Sequence, residues 1–170
     1  TFTMARPQHG ERASFFRAKS SRIELPERVD VVICDHIGYF GFDYGVVEFL
    51  ADARKRLLKP GGIVVIHTID IGSVTAQVMG GRWPFLMEMH IMFFSRATLR
   101  DMLQRVGFTY MSDHTQGRYL RLGYLAGRVT AAFGETIGKP LENLVSFIKL
   151  AESPVAVNTL DLFTAYAKKG

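Results

Sequence analysis

Two short runs of nearly unbroken apolar residues, VDVVIC at 29–34 and IVVIHT at 63–68, stand out from an otherwise mixed chain. Both are rich in β-branched residues and too short for a helix, the pattern of strands covered on both faces in a parallel sheet. Between them Val46, Leu50, Ala53 and Leu57 recur at steps of four and three, while Asp52, Arg54, Lys55 and Arg56 fill the other side. That spacing predicts an amphipathic helix over 45–58. Lys59-Pro60-Gly61-Gly62 is expected to stop it, because basic residues suit its negative end, proline cannot continue it and glycine accepts positive φ. Strand, helix and strand in this order make a right-handed crossover, which sets Asp35 and Thr68 on the rim formed by the strands' carboxyl ends.

The same reading continues along the chain. Ser95 is a natural cap for a helix carrying Leu99, Met102, Leu103 and Val106 on one face, with Gly107 ending it and a further strand starting at 108–111. Residues 161–167 (DLFTAYA) alternate and predict a final strand. Residues 13–18 (ASFFRA) form a short aromatic strand candidate, and 20–28 a polar connection. Residues 117–150 are apolar and broken by glycines, with helices expected around 120–133 and 140–150, and read as an inserted helical cover within a single domain, 1–170. The fold class is α/β.

Composition narrows the partners. At 170 residues, 48% hydrophobic and 22% charged, the chain suits one ordinary core. The net charge is +5, but its basic residues are scattered instead of forming one stripe beside stacking aromatics, which argues against a nucleic-acid partner and suits an anionic substrate equally. Cys34 is the only cysteine, and His36, His67, His90 and His114 show no H-x-x-x-H pairing, so neither a disulfide nor a metal is expected. No basic-then-apolar leader and no transmembrane run is visible, and the expected location is cytoplasmic.

Three stretches together resemble the class I S-adenosylmethionine-dependent methyltransferases. VDVVICD, the amphipathic helix and RLLKPGGIVVI are similar to the family's fourth strand, the helix after it and its fifth strand. Residues 71–108 are similar to bacterial members with a Trp-Pro loop, a histidine before aromatics and an FS-x-x-T-L helix start. Residues 153–167 resemble the last strand of the same members. The resemblance implies a Rossmann-like sheet with its last strand antiparallel, S-adenosylmethionine as methyl donor, and a small-molecule or polymer acceptor. No G-x-G-x-G follows a leading strand, so the leading strands and their glycine-rich loop are expected upstream of residue 1. A chain of that kind exposes a sheet edge, and a homodimer is the expected consequence. A truncated, inactive binding module is the competing class.

Candidate site residues follow from the resemblance. Asp35 stands where the family's loop meets the methionine part of the cofactor and the acceptor, and Lys19 and Ser20 stand beside the adenine, with Lys19 where members often carry an acid. CDHIGYFGFDYG also resembles, more faintly, the acidic loop of protein arginine methyltransferases, with Asp35 and Asp43 as its two carboxylates and His36 in place of an aromatic. Two carboxylates would hold a guanidinium bidentately. Asp35, His36 and His90 are the candidates for positioning or proton transfer, and Tyr39, Asp43, Trp83 and Tyr119 for acceptor binding. A capping Asp35, packed histidines at 36, 67 and 90, and aromatic core anchors are the alternatives for the same residues.

Overall fold

The computed structural model describes residues 13–35, 37, 45–87 and 90–170. Its strands are β1 (Val29–Asp35), β2 (Leu58–Ile69), β3 (Phe108–Thr115), β4 (Arg118–Arg121), β5 (Pro154–Val157) and β6 (Leu162–Lys169). Its helices are α1 (Val46–Asp52), α2 (Val74–Met79), α3 (Arg96–Arg105), α4 (Leu122–Phe133) and α5 (Glu135–Phe147). Four strands form the main sheet in the order β1-β2-β6-β3, with β1 and β2 parallel and β6 antiparallel to both its neighbours.

The expected crossover is present, with one local difference. α1 widens into a π turn over Ala53–Leu57, and β2 begins at once with Leu58, so the Lys59-Pro60-Gly61-Gly62 segment lies within the extended strand. The register shifts there, from Val29↔Leu58 to Val31↔Ile63. Gly61 takes a φ of 74°, and a Cβ on Gly62 would sit 3.0 Å from the Lys59 carbonyl oxygen and 3.1 Å from that of Asp30. The glycines therefore serve close backbone approach within the bulge as well as the end of the helix.

α3 begins as its sequence requires. The Ser95 side chain accepts from the Thr98 backbone N–H, and the Thr98 hydroxyl accepts from the Ser95 N–H at 2.8 Å, a reciprocal cap; Gly107, with a φ of 92°, follows the helix.

Residues 13–18 are not a strand. Behind them, the turn Ser20–Arg22 is fastened to the end of the α1 segment by Arg56, which donates to the Ser20 and Ile23 carbonyls and pairs with Asp52 at 2.8 Å. A second correction concerns 153–167, which splits in two. β5 pairs antiparallel with β4 as a separate ribbon, and only β6 joins the main sheet. α4 and α5 lie in sequence between the two strands of that ribbon, and α5 begins at Glu135, with Pro140 inside it.

Cys34, Val64, Ile66, Ala165 and Ala167 line one face of the main sheet and pack against Val46, Phe49 and Leu50 of α1 and Leu99 and Leu103 of α3. Each large aliphatic side chain buried there contributes about 1.5–3 kcal/mol. The residues that alternate with them point to the opposite face, where Val31 is 46% and Ile33 73% exposed.

Candidate functional site

Strand pairing builds a polar row across that second face. Asp35 ends β1 and pairs with His67, His67 pairs with Thr164, and Thr164 pairs with His114. Directly paired residues point to the same side of a sheet, so a carboxylate, an imidazole, a hydroxyl and a second imidazole stand side by side. His67 Nδ1 lies 3.0 Å from Thr164 Oγ1, and that hydroxyl donates to Gln116 Oε1 at 2.6 Å. With its proton committed to Gln116, Thr164 accepts from His67 Nδ1–H. Neutral His67 therefore keeps its lone pair on Nε2. Cys34, one residue before Asp35, points into the core; burial and the neighbouring carboxylate push its thiol up to about 12, so it is no nucleophile.

A second polar cluster stiffens the carboxyl end of β2. Arg96, at the start of α3, reaches Asp70 at 3.1 Å, Asp113, and Thr115 at 2.7 Å, and lies 5.3 Å over the Phe163 ring. Tyr110 donates to Asp113, and burial together with that bond pushes its phenol up to about 12. Trp83 Nε1 donates to Asp161 Oδ2 at 2.9 Å, and the Asp161 carbonyl accepts from Asp70 N at 2.8 Å.

These contacts decide where the candidate residues stand. Asp35 is exposed on the rim, as its strand-end position requires. Trp83 is 2% exposed and packs edge-on to Phe85 at 5.6 Å, so it anchors a small second core with Ile69 and Leu162 and does not line an open acceptor wall. His90 is 6% exposed, 6.3 Å from the Phe85 ring and 5.9 Å from Phe93. Tyr119 is 78% exposed on β4. His36, Tyr39 and Asp43 lie outside the described residues.

Lys19 and Ser20 are not brought to Asp35. The turn they begin hangs on Arg56, just before Leu58, which pairs with the first residue of β1; Asp35 is the last. A seven-residue strand separates the two places by roughly 20 Å. The sequence placed an adenine contact here on the assumption that 13–18 is a strand reaching the rim, and it is not one.

Thr164, Gln116 and Arg96 were missed. Nothing local marks them, since Thr164 and Gln116 reach His67 only through pairings with residues far along the chain. Among the described residues no group of three or more His, Cys, Asp or Glu could hold a metal ion. A cavity of about 700 Å³ between α1 and α3, lined by Val47, Met102 and Arg105 among others, belongs to the helical face and not to the polar row.

Residues 32–113 match the family model of a methyltransferase domain. Protein arginine N-methyltransferase 6 of Danio rerio is 30% identical over 80 residues, which are 46% of this chain and 23% of that protein; the chain thus spans under a quarter of that relative's length. Among solved structures, a putative methyltransferase from Bacillus halodurans covers 99% of this chain and 78% of its own at a TM-score of 0.55 and 14% identity. The YcgJ protein of Bacillus subtilis covers 98% and 75% at 0.55 and 13%. The [4+2]-cyclase SpnF covers 98% and 61% at 0.53 and 15%. The last of these is named for a different reaction, so at such identities the likeness fixes the fold and not the chemistry.

Proposed function

We propose that this chain, whose residues 32–113 match a methyltransferase domain and whose fold is that of methyltransferase structures, is a class I S-adenosylmethionine-dependent methyltransferase chain and forms the acceptor side of a methyl transfer run over the carboxyl ends of β1 and β2. The observation that carries this is the polar row on the rim, Asp35 beside His67 and His67 fixed by Thr164. When bound, S-adenosylmethionine supplies an electrophilic methyl group on a sulfonium, transferred in line to the acceptor. The exposed carboxylate of Asp35 fits the ammonium of the donor's amino-acid end. Lys19 and Ser20 lie beside Arg56, toward the start of β1 and away from Asp35.

The chain's own work is alignment and proton removal. In-line displacement at a sulfonium needs donor and acceptor held in near-attack geometry more than it needs a strong catalyst. His67 Nε2 carries the lone pair and accepts the proton that a hydroxyl, amine or acidic carbon loses as it is methylated. Asp35, adjacent in register, stabilises the imidazolium so formed.

Calorimetric titration of S-adenosylhomocysteine into the 170-residue chain tests the reading without knowledge of the acceptor. Saturable heat, weakened about tenfold by Asp35→Asn, is expected. No heat from folded protein would leave the inactive binding module as the better reading. Arginine methylation is a second reading, favoured by the match to the Danio rerio enzyme; it requires both Asp35 and Asp43 to hold the guanidinium, and transfer to an arginine-rich peptide is its readout.

A further inference from the structure

A cavity of about 260 Å³ lies beside the rim, between the Trp-Pro loop and the inserted ribbon and helix. Its walls are largely apolar, from Phe85 in the loop, Leu120 of β4, and Leu125 and Val129 of α4. Two cations interrupt them, Arg118 of β4 and Arg128 of α4. The Nε of each is buried with no hydrogen-bond partner among the described residues. Neither guanidinium pairs with a described carboxylate; Arg118 lies 4.9 Å over the Phe85 ring. Two like charges with buried, unsatisfied donors in one apolar wall cost free energy unless something anionic completes them.

We infer that this cavity binds a molecule with an anionic head, carboxylate or phosphate, and an apolar body. The head lies between Arg118 and Arg128, where forked guanidinium donors suit both anions. The body lies against Phe85, Leu120, Leu125 and Val129. Hydrogen bonds link the site to the end of β2, because Thr159 on its wall donates to Asp161, whose carbonyl accepts from Asp70 N. That the occupant is the methyl acceptor rests on the reading above; that the cavity takes such a molecule does not. The same charge pair repels a guanidinium, so the site disfavours an arginine side chain as its occupant.

Trp83 is the chain's only tryptophan and directly precedes the cavity residues Pro84 and Phe85, so its fluorescence reports occupancy. The probes are octanoate, octyl phosphate, octanol and octyltrimethylammonium, titrated into the full chain without cofactor. Saturable change with both anions, at least tenfold weaker binding of octanol, and none of the cation are expected. The ratio of octanoate to octyl phosphate affinity tells which head group the fork prefers. Arg118→Gln and Arg128→Gln should each weaken octanoate about tenfold while leaving octanol unchanged. Octanol binding as tightly as octanoate would overturn the inference on the unmodified protein, whether or not the variants fold. Anion binding with no S-adenosylhomocysteine heat would keep the site and remove its place in methyl transfer.

Discussion

His67 Nδ1 stands 3.0 Å from Thr164 Oγ1 across the pairing of β2 with β6, and Gln116 takes the hydroxyl's own proton at 2.6 Å. The contact decides which imidazole nitrogen is basic. Nitrogen-15 NMR of the neutral ring should therefore show the Nδ1–H tautomer in the native chain and a mixture of both in Thr164→Val. The variant should lose about 1 kcal/mol of stability, the worth of a hydrogen bond, with no change of shape. A native ring already in the Nε2–H form would remove His67 as a base facing the acceptor.

Arg96 ties Asp70, Asp113 and Thr115 into one cluster. Asp70 is 5% exposed, so Arg96→Met leaves a buried carboxylate without its cation. The expected loss is about 2–3 kcal/mol in urea unfolding, below that of a fully buried pair because the arginine is one-third exposed to screening water. Arg96→Lys should recover less than half, since a point charge cannot reach three acceptors at once.

Burial and the neighbouring Asp35 push the Cys34 thiol up from its ordinary value of 9.0 to about 12 in the folded chain. A group whose pKa is raised by folding stabilises the protein below its unfolded value, and that contribution fades as pH rises toward its folded value. Between pH 9 and pH 10 the chain should lose about 1 kcal/mol from this thiol, and Cys34→Ala should lack that loss. Equal slopes for both proteins would show that the thiol is accessible after all.

Among the described residues no strand pairs with the outer edge of β1, and Val31 and Ile33 are exposed beside it. An open apolar edge of this kind recruits another copy. Light scattering at micromolar concentration should give a mass above the 19.1 kDa monomer, and Ile33→Glu should shift it toward the monomer. A monodisperse native monomer would count against the edge as a contact.

What the sequence disclosed was local periodicity. VDVVIC and IVVIHT announced β1 and β2, and Ser95 and Gly107 marked the two ends of α3, because strands and caps are written in neighbouring residues. Lys59 to Gly62 were legible as a helix stop but not as part of a strand, since the bulge depends on the approach of Asp30 from β1. The β4–β5 ribbon was illegible for the same reason: four-residue strands carry too little pattern, and their pairing spans the helical insert. Asp35 was found because it ends a strand. Its neighbours His67 and Thr164 became a site only when register set them side by side.

Among the described residues β3 joins the main sheet only through β6, and β2 reaches β3 only through that same strand. As the chain leaves the ribosome, β1, α1 and β2 can close a parallel unit early, while β3 waits without a partner through the synthesis of β4, both insert helices and β5. The insert must therefore tolerate being made beside an unsealed sheet, and the row of Asp35, His67 and Thr164 exists at no earlier moment than the arrival of β6. Assembly of the site and closure of the sheet are one late event, delayed by long-range pairing. A lesion in the ribbon or its helices can then lower the yield of folded protein without touching the chemistry.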